Sequence, residues 1–335
     1  MKILFNCGLP FALAHGGHQI QIERTQAALQ SIGIEVEPVR WWDDKQTGDI
    51  IHFFGRMPTD QIKLARQKGV KVVMAELLTA PGSRTPGQLR IQRFLNRTLK
   101  RAAPGQFVAA FNWDSYRLAD ASIALTSWEA HLMRYLFDAP AEKVHVVPNG
   151  VEDVFLQSAA VTRGKWLVCT ATITARKQVL ELAKLAVRAE TPVWIIGKAY
   201  AESDPYAQQF ISLARQHPYQ IRFEGPISDR GKLAAIYREA RGFVLLSTME
   251  SLSLSALEAA ACECPLLLSD LPWARSTFGE NATYCPITSL KNAARQLRKF
   301  YDQAPGLNTP PKPLTWHAVA QQLKIIYERI LSASR

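Results

Sequence analysis

Short apolar runs alternate with longer segments of mixed apolar and polar residues along the whole chain. In the first half, the apolar runs predict strands at 2–6, 34–39, 49–54, 70–75, 121–125 and 144–147. Segments with helical spacing lie between them and predict helices near 18–31, 58–68, 87–102 and 127–137. A second series of strands follows at 166–170, 193–197, 221–225, 243–246, 265–269 and 282–285. Strands that alternate with helices are typical of parallel sheets.

The chain is long enough for two hydrophobic cores. It has 335 residues, of which 47% are hydrophobic, and single cores rarely grow beyond about 250–300 residues. Residues 152–165 lack periodicity and predict the linker. We therefore expect an α/β fold with two Rossmann-like, doubly wound domains, at 1–155 and 156–313, that face each other across a cleft. A terminal helix at 314–335 follows a proline-rich hinge.

The composition narrows the classes of partner. The 40 lysine and arginine residues exceed the 29 acidic residues and give a net charge of +11, which favours nucleic acid, acidic lipid surfaces or phosphorylated small molecules. No helix-turn-helix signal and no basic sheet motif with aromatic residues supports nucleic acid. The five scattered cysteines indicate reduced core residues. No apolar run reaches transmembrane length and no signal peptide is evident, so we expect a cytoplasmic protein.

Glu250 and Glu258 mark the most informative stretch of the chain. Residues 243–246 predict a buried strand, Ser247–Ser251 a turn and Leu252–Cys262 a helix. Ligands of an open α/β sheet bind at the carboxyl ends of its strands, which is where this turn lies. The two carboxylates are separated by up to roughly 12 Å along a helix axis, whereas glycosidase pairs lie about 5–9.5 Å apart. This spacing favours an extended ligand that is rich in hydroxyl groups.

An ordered set of motifs runs through nearly the whole chain. The motifs are Gly16-Gly17, Asp49–His52, Val147–Val151, Arg176-Lys177, Gly197, Gly225, the Glu250–Glu258 pair and Leu314–Trp316. Together they resemble the retaining GT-B glycosyltransferases of family 4, the relatives of glycogen synthase and the mannosyltransferases. The resemblance implies the GT-B fold, a nucleotide-sugar donor bound by the second domain, and a C-terminal helix that packs back toward the first domain.

Lys177 and Arg176 are the candidate cations for the diphosphate of the donor. Both follow the first strand of the second domain and are expected at a helix start, where a basic residue opposes the helix dipole unless an anion binds there. The alternative is a pair of solvated side chains. The resemblance places the catalytic lysine of the family at Lys177. Relatives often carry an arginine where this chain has Thr172, and we hypothesise that Arg176 replaces that charge.

The resemblance gives the two carboxylates separate roles. Glu250 would contact the donor sugar, and the amides of Ser251 and Leu252 would bind the donor at the helix start. Glu258 would accept hydrogen bonds from both ribose hydroxyls, and Gly197 would also lie at the donor site. A helix cap is the alternative for Glu250. An arginine-paired structural carboxylate is the alternative for Glu258, whose surroundings are expected to be buried.

The first domain is expected to bind the acceptor. Gly16, Gly17 and His18 lie in a loop after the first strand, and His52 ends a strand at the carboxyl edge of the sheet. Many relatives place a histidine after the next strand, where this chain has Glu76, so that the role of that histidine does not carry over.

Residues 84–101 form a basic segment without acidic residues. Its arginines recur at three- and four-residue spacing, at Arg90, Arg93, Arg97 and Arg101. Its leucines are expected to share a side, at Leu89, Leu95 and Leu99. Such a helix is compatible with peripheral binding to the inner face of an anionic membrane and with a lipid-linked acceptor. The alternative is a helix that packs by its leucine face and exposes its arginines to solvent.

We therefore expect a retaining hexosyltransferase that moves a sugar from a UDP or GDP sugar to an acceptor hydroxyl of a glycan, a lipid-linked or a small molecule. The resemblance implies that it needs no cofactor and no metal, and the sequence has no convincing Asp-x-Asp motif. A hydrolysing nucleotide-sugar epimerase of the same architecture is one alternative. A non-catalytic protein that binds sugar nucleotides is the other.

Overall fold

The computed structural model describes residues 1–8, 10–11, 16–103, 110–158, 161–286 and 290–333. The chain forms two compact units. The first consists of Met1–Asn149 with Trp316–Arg335, and the second of Gly150–Thr315. Each unit contains a six-stranded parallel sheet with flanking helices. The prediction of two doubly wound α/β units is therefore confirmed.

The first unit is built on the strands of the first half of the chain. They are β1 (Lys2–Cys7), β2 (Glu35–Pro38), β3 (Ile50–Phe54), β4 (Lys71–Met74), β5 (Ala121–Ala124) and β6 (Val144–Val146). They pair in the order β2-β1-β3-β4-β5-β6, all parallel. Ile50, Val72 and Val73 are fully buried, because a parallel sheet is covered on both faces, and this is why its strands appear as apolar runs in the sequence.

The helices of the first unit begin and end at residues with clear local signals. They are α1 (Gly17–Ser31), α2 (Thr59–Gln67), α3 (Thr79–Gly82), α4 (Pro86–Ala102), α5 (Ser115–Leu118) and α6 (Ser127–Phe137). Thr85 and Gln88 form a capping box at the start of α4. The hydroxyl of Thr126 accepts a hydrogen bond from the amide of Glu129 and caps α6, which ends at Asp138 in the left-handed conformation.

The second unit repeats this architecture with a different strand order. Its strands are β7 (Leu167–Thr170), β8 (Val193–Ile196), β9 (Ile221–Phe223), β10 (Gly242–Leu245), β11 (Leu266–Ser269) and β12 (Thr283–Cys285). They pair in the order β12-β11-β10-β7-β8-β9. Its helices are α7 (Asp153–Leu156), α8 (Val179–Arg188), α9 (Pro205–Gln216), α10 (Arg230–Glu239), α11 (Leu254–Ala261), α12 (Pro272–Phe278) and α13 (Leu290–Gln303).

The strand order of the second unit creates a topological switch point between β7 and β10. These two strands are neighbours in the sheet, and the chain leaves them toward opposite edges, to β8 and to β11. The loops that follow β7 and β10 therefore both lie at the carboxyl ends of neighbouring strands. This is the position at which open α/β sheets bind ligands.

The C-terminal helix, α14 (Trp316–Ser332), belongs to the first unit and packs against α1. It buries apolar side chains such as Trp316, Leu323 and Tyr327. The expected return of this helix to the first domain is confirmed. None of the helices in the described ranges is long and apolar enough to cross a bilayer.

Candidate functional site

The switch point of the second unit brings together two segments that are distant in sequence. Residues 171–178 follow β7, and residues 246–253 follow β10. The backbone amide of Thr248 donates to the carbonyl oxygen of Arg176 at 2.9 Å, and the hydroxyl of Thr248 donates to the same oxygen at 3.2 Å. These bonds hold the two segments side by side and set the positions of their charged side chains.

Lys177 and Glu250 form the centre of this site. The ammonium group of Lys177 donates a hydrogen bond to Oε1 of Glu250. The Lys177 and Glu250 side chains retain only 13% and 9% of their accessible surface, so their attraction is screened less than that of a surface pair. Among the described residues, Oε2 of Glu250 has no protein donor and two N–H bonds of Lys177 have no acceptor. The pair can therefore accept and donate further hydrogen bonds to a ligand.

Arg176 completes what we call the switch-point site, which consists of Arg176, Lys177 and Glu250. Its Nη1 donates to the carbonyl oxygen of Met249 at 2.9 Å and lies 3.5 Å from Oε1 of Glu250. The side chain is about one third exposed, at 38%. Its remaining N–H groups can still bind an anion. Because Arg176 and Lys177 are positive and Glu250 is negative, the site carries one net positive charge.

Lys177 does not lie at the start of a helix, contrary to the prediction from the sequence. Ala175–Lys177 form a 3-10 turn that precedes α8, with Gln178 between them in a left-handed conformation at φ 53°. Lys177 thus lies outside the first turn of α8, and its charge is balanced by Glu250. The expected mismatch between a basic residue and the helix dipole does not arise, and the case for Lys177 rests on its pairing with Glu250 instead.

Gly197 and Thr172 lie beside this loop. A Cβ atom at Gly197, whose φ is +153°, would lie 1.9 Å from the carbonyl oxygen of Ala171. The amide of Ile173 donates to the carbonyl oxygen of Lys198 at 3.1 Å. Only glycine at position 197 lets the backbone come this close to Ala171. This contact supports the loop after β7, which carries the partly buried Thr172. Gly197 shapes the site through the backbone.

Ser251 and Leu252 lie between Glu250 and α11, and both are buried. The helix begins at Leu254, two residues later than predicted, because Ser253 caps it and accepts from the amide of Ala256 at 3.3 Å. The amides of Ser251 and Leu252 therefore belong to the turn before the helix. Glu250 does not cap the helix, since that position is taken by Ser253.

Glu258 lies in a separate cluster with Glu152, Arg230 and Tyr237. Arg230 donates to Oε1 of Glu258 and binds Glu152 through two hydrogen bonds of 3.0 and 2.8 Å. The hydroxyl of Tyr237 lies 3.5 Å from Oε2 of Glu258. Glu258 is therefore paired with an arginine, which was the less favoured of the two roles expected for it. Burial raises the pKa of Glu258 to about 7, although the charge of Arg230 opposes the shift.

Sequence reasoning missed Arg230 and Glu152. Glu152 directly follows the Val147–Val151 motif, and this position was a usable signal. Arg230 is the first residue of α10 and belongs to none of the motifs, so no sequence signal pointed to it. Its guanidinium also lies 4.7 Å from the centre of the Phe155 ring.

His52 was expected on the acceptor side, and the structure corrects this. It lies in the middle of β3 rather than at its end, is only 2% exposed, and stacks on Phe54 with ring centres 4.5 Å apart. Its Nδ1 shares a hydrogen bond of 2.6 Å with the hydroxyl of Tyr327. Burial lowers the pKa of His52 to about 3, so the ring stays neutral. His52 is a core residue of the first unit.

Glu76 lies after β4 in an ion pair that uses both of its oxygens. Arg56 donates to them at 2.8 and 3.0 Å, and the hydroxyl of Tyr116 also donates to Oε2. The guanidinium of Arg56 lies 4.1 Å from the centre of the Phe137 ring. These contacts make Glu76 part of a packed cluster at the carboxyl edge of the first sheet.

Gly16, Gly17 and His18 surround the start of α1. Gly16 precedes the helix with φ 138°, and Gly17 is its first residue. His18 is exposed, in edge contact with Phe54 at 6.4 Å. Of the proposed acceptor-side residues, these three are accessible. Within the described residues, no three side chains of the metal-binding types cluster in a way that would hold an ion.

A family model matches the part of the chain that contains the switch-point site. Residues 157–310, which make up most of the second unit, match the family model "Glycosyl transferases group 1". This segment contains Arg176, Lys177, Glu250 and Glu258. No curated protein is significantly similar to the chain in sequence.

Several solved structures are similar to almost the whole chain. Sucrose-phosphate synthase from Thermosynechococcus elongatus has a TM-score of 0.69 at 16% identity and covers 99% of this chain and 100% of its own. A glycosyltransferase from Rickettsia africae has a TM-score of 0.66 at 12% identity, with 98% of each chain covered. HepE from Anabaena, solved with UDP and glucose, has a TM-score of 0.65 at 14% identity, with 99% of each chain covered. At such identities the likeness shows the fold, which is GT-B.

Proposed function

We propose, from the GT-B fold and the match of the second unit to group 1 glycosyl transferases, that this protein is a retaining glycosyltransferase. It moves a hexose from a nucleotide sugar to an acceptor hydroxyl. The observation that carries the proposal is the contact between Lys177 and Glu250 at the switch point. A cation for a diphosphate and a carboxylate for sugar hydroxyls lie there within one hydrogen bond of each other.

Lys177 and Arg176 are proposed to bind the diphosphate. The two unused N–H bonds of Lys177 are available to phosphate oxygens, and the partly exposed guanidinium of Arg176 adds a second charge. Both would stabilise the negative charge that grows on the leaving nucleotide, and preorganised donors of this kind are usually the largest catalytic contribution. Arg176 takes over the charge that Thr172 lacks.

Glu250 and Glu258 are proposed to hold the two ends of the donor. The free Oε2 of Glu250 accepts a sugar hydroxyl while its Oε1 keeps Lys177 in place. Glu258 accepts from the ribose, and this requires the ribose hydroxyls to share or replace the contact with Arg230. The amides of Ser251 and Leu252 lie in the turn between the two carboxylates and line the same donor site.

The transfer is proposed to occur on one face of the sugar and without a metal. The bond from the anomeric carbon to the phosphate oxygen breaks, and the bond to the acceptor oxygen forms on the same side. The acceptor proton passes to the departing phosphate oxygen, so no protein nucleophile is needed. The two cations of the switch-point site supply the neutralisation that a metal ion would otherwise give.

The donor is proposed to be a UDP or GDP sugar, and the acceptor to be held by the first unit. HepE was solved with UDP and glucose, and this supports a uridine nucleotide as the first candidate. Gly16, Gly17 and His18 are the accessible residues of the first unit that we assign to the acceptor.

Thermal shift against UDP, GDP, ADP and their sugars tests donor binding. A ligand that binds only the folded state at one hundred times its Kd stabilises it by about 2.7 kcal/mol. We expect one nucleotide series to raise Tm and Lys177→Ala to reduce the shift. A flat response to every nucleotide would overturn the proposal.

Product analysis distinguishes two other functions. An epimerase would change the donor sugar in the absence of any acceptor. A non-catalytic binding protein would show the thermal shift without turnover, and the replacement of the family arginine by Thr172 is the observation in its favour. A glycosyltransferase forms a glycoside that keeps the anomeric configuration of the donor.

A further inference from the structure

Helix α4 exposes three large apolar side chains to solvent. Ile91, Phe94 and Leu95 keep 62%, 68% and 51% of their accessible surface. Residues three and four positions apart are neighbours on a helix surface, so these side chains form one continuous apolar strip. We call it the α4 strip. The expectation that Leu95 shares a side with Leu89 is therefore wrong, because Leu89 is buried and Leu95 is exposed.

The inward face of α4 does not need this strip for its packing. Leu89 is buried and Leu99 packs against the same core. The side chain of Asn96 donates to the carbonyl oxygen of Leu136 at 3.2 Å, and the guanidinium of Arg93 lies 4.2 Å from the centre of the Tyr135 ring. Polar residues thus share the inner face with Leu89 and Leu99, while Ile91, Phe94 and Leu95 point outward. An ordinary surface helix keeps its large apolar side chains on the inner face.

The α4 strip is bordered by positive charge on one side. At 100° per residue, Arg90, Arg97 and Arg101 lie within about 40° of one another and next to Phe94. No acidic residue occurs between Leu77 and Trp113. Arg97 and Lys100 approach Asp138 at 3.9 and 3.4 Å. Arg90 and Arg101 have no acidic partner in the described part of the chain.

We propose that the outer face of α4 docks on an anionic lipid bilayer. The α4 strip enters the boundary between headgroups and acyl chains, and Arg90, Arg97 and Arg101 contact the lipid phosphates. An apolar strip beside a row of cations is the pattern of helices that lie in a membrane interface. A nucleic-acid backbone would satisfy the arginines but would leave Ile91, Phe94 and Leu95 without an apolar partner. The inference does not depend on the proposed glycosyl transfer.

Co-sedimentation of the full chain with vesicles tests the proposal, without any nucleotide sugar. One set of vesicles is pure phosphatidylcholine, and the other contains about one third phosphatidylglycerol. We expect at least tenfold stronger partitioning to the anionic vesicles. The triple variant Ile91→Ser, Phe94→Ser, Leu95→Ser should lose at least tenfold in partitioning, and Arg90→Gln with Arg101→Gln should lose severalfold.

Matched controls come from α2 of the same unit. Leu64 is 57% exposed, and Lys63 and Arg66 are exposed beside it. Leu64→Ser, and Lys63→Gln with Arg66→Gln, should leave partitioning unchanged. Because all substituted α4 side chains are exposed, circular dichroism and Tm should match the wild type, and the arginine variant gives an independent reading if the serine variant unfolds.

Three outcomes would overturn the proposal. The first is equal partitioning to neutral and anionic vesicles, or none to either. The second is a triple serine variant that is folded and partitions like the wild type. The third is binding to RNA or heparin that depends on the arginines while the vesicles stay unbound, because this would indicate a polyanion partner. Failure of the nucleotide thermal shift would leave the membrane inference intact.

Discussion

At the residue scale, the proposed chemistry depends most on Lys177. Its ammonium group is largely buried and has Glu250 as its protein acceptor among the described residues. Replacement by alanine removes a cation that is proposed to bind the diphosphate. We expect Lys177→Ala to lower kcat by about 10²–10³-fold, the range found when one preorganised donor to a developing anion is removed. Initial rates at saturating donor measure the effect.

Lys184 is the matched control for Lys177. It lies on α8 of the same unit, and its side chain is exposed. Lys184→Ala removes the same charge from the unit without touching the switch-point site, so its kcat should stay within about twofold of the wild type. Equal losses in the two variants would mean that the unit responds to its net charge, and the role assigned to Lys177 would be rejected.

The raised pKa of Glu258 makes the stability of the protein depend on pH. Its pKa is raised from the ordinary 4.5 to about 7 by burial. In this window the folded protein binds more protons than the unfolded chain, so the free energy of unfolding falls as pH rises. The contribution is fully present below pH 4.5 and is lost above about pH 7. Urea unfolding at steps across this range measures the slope.

Glu258→Gln separates this titration from those of the other groups. The amide keeps the shape and an acceptor for Arg230, which retains its two hydrogen bonds to Glu152. The variant should lose less stability than the wild type between pH 4.5 and 7. Parallel curves for the two proteins would show that Glu258 is already ionised in the folded state across the window.

At the element scale, the end of β8 tests how the site loop is supported. Gly197→Ala places a methyl group against the carbonyl oxygen of Ala171 in a conformation that favours glycine. Strain of this kind costs about 1–3 kcal/mol, and the clash adds to it. We expect a loss of at least about 2 kcal/mol in the unfolding of the second unit, together with weaker nucleotide binding. Denaturant titration followed by a nucleotide shift measures both.

Gly225→Ala is the control for the clash. Gly225 also has a positive φ, +84°, but no atom lies within 4 Å of its added Cβ. This variant should cost only the backbone strain, about 1–3 kcal/mol, and should therefore lose less stability than Gly197→Ala. If the two alanine variants were equally stable, close contact with Ala171 would not be the reason for glycine at 197.

Helix boundaries show where local sequence information runs out. The predicted helices at 87–102 and 127–137 are found at Pro86–Ala102 and Ser127–Phe137, because Thr85 and Thr126 are capping residues that can be recognised locally. The helix after Glu250 was predicted from Leu252 but begins at Leu254. Three serines in this stretch can each cap a helix, and only the contact of Ser253 with the amide of Ala256 decides between them.

At the scale of the whole molecule, the C-terminal helix ties the end of the chain to the first unit. A chain that stops after Thr315 loses α14 and exposes the face of α1 that it covers. Each large apolar side chain buried there is worth about 1.5–3 kcal/mol, whereas a domain is stable by about 5–15 kcal/mol in total. We expect the first unit to unfold in this variant, with loss of hydrogen-exchange protection in β1 and β3.

The second unit should respond differently to this truncation. Gly150–Thr315 is continuous in sequence, so its strands should keep their protection and its nucleotide-induced thermal shift. Tyr327→Phe in the full chain removes only the hydroxyl bonded to His52 and should leave both units folded. Loss of protection in the second unit after truncation would show that its folding depends on the first.

The sequence by itself determined the alternation of strands and helices, the parallel sheets, and the places where Lys177 and Glu250 follow strands. These features are local, because strands buried on both faces and helices covered on one face leave their periodicity in the chain. Only the tertiary structure decided that β7 and β10 are neighbours, which brings Lys177 to Glu250. It also decided that Arg230 pairs with Glu258, that His52 is buried, and that Ile91, Phe94 and Leu95 face solvent. Each of these features depends on whether residues distant in sequence pack against the side chain in question. The periodicity of one segment carries no information about which other segment packs against it.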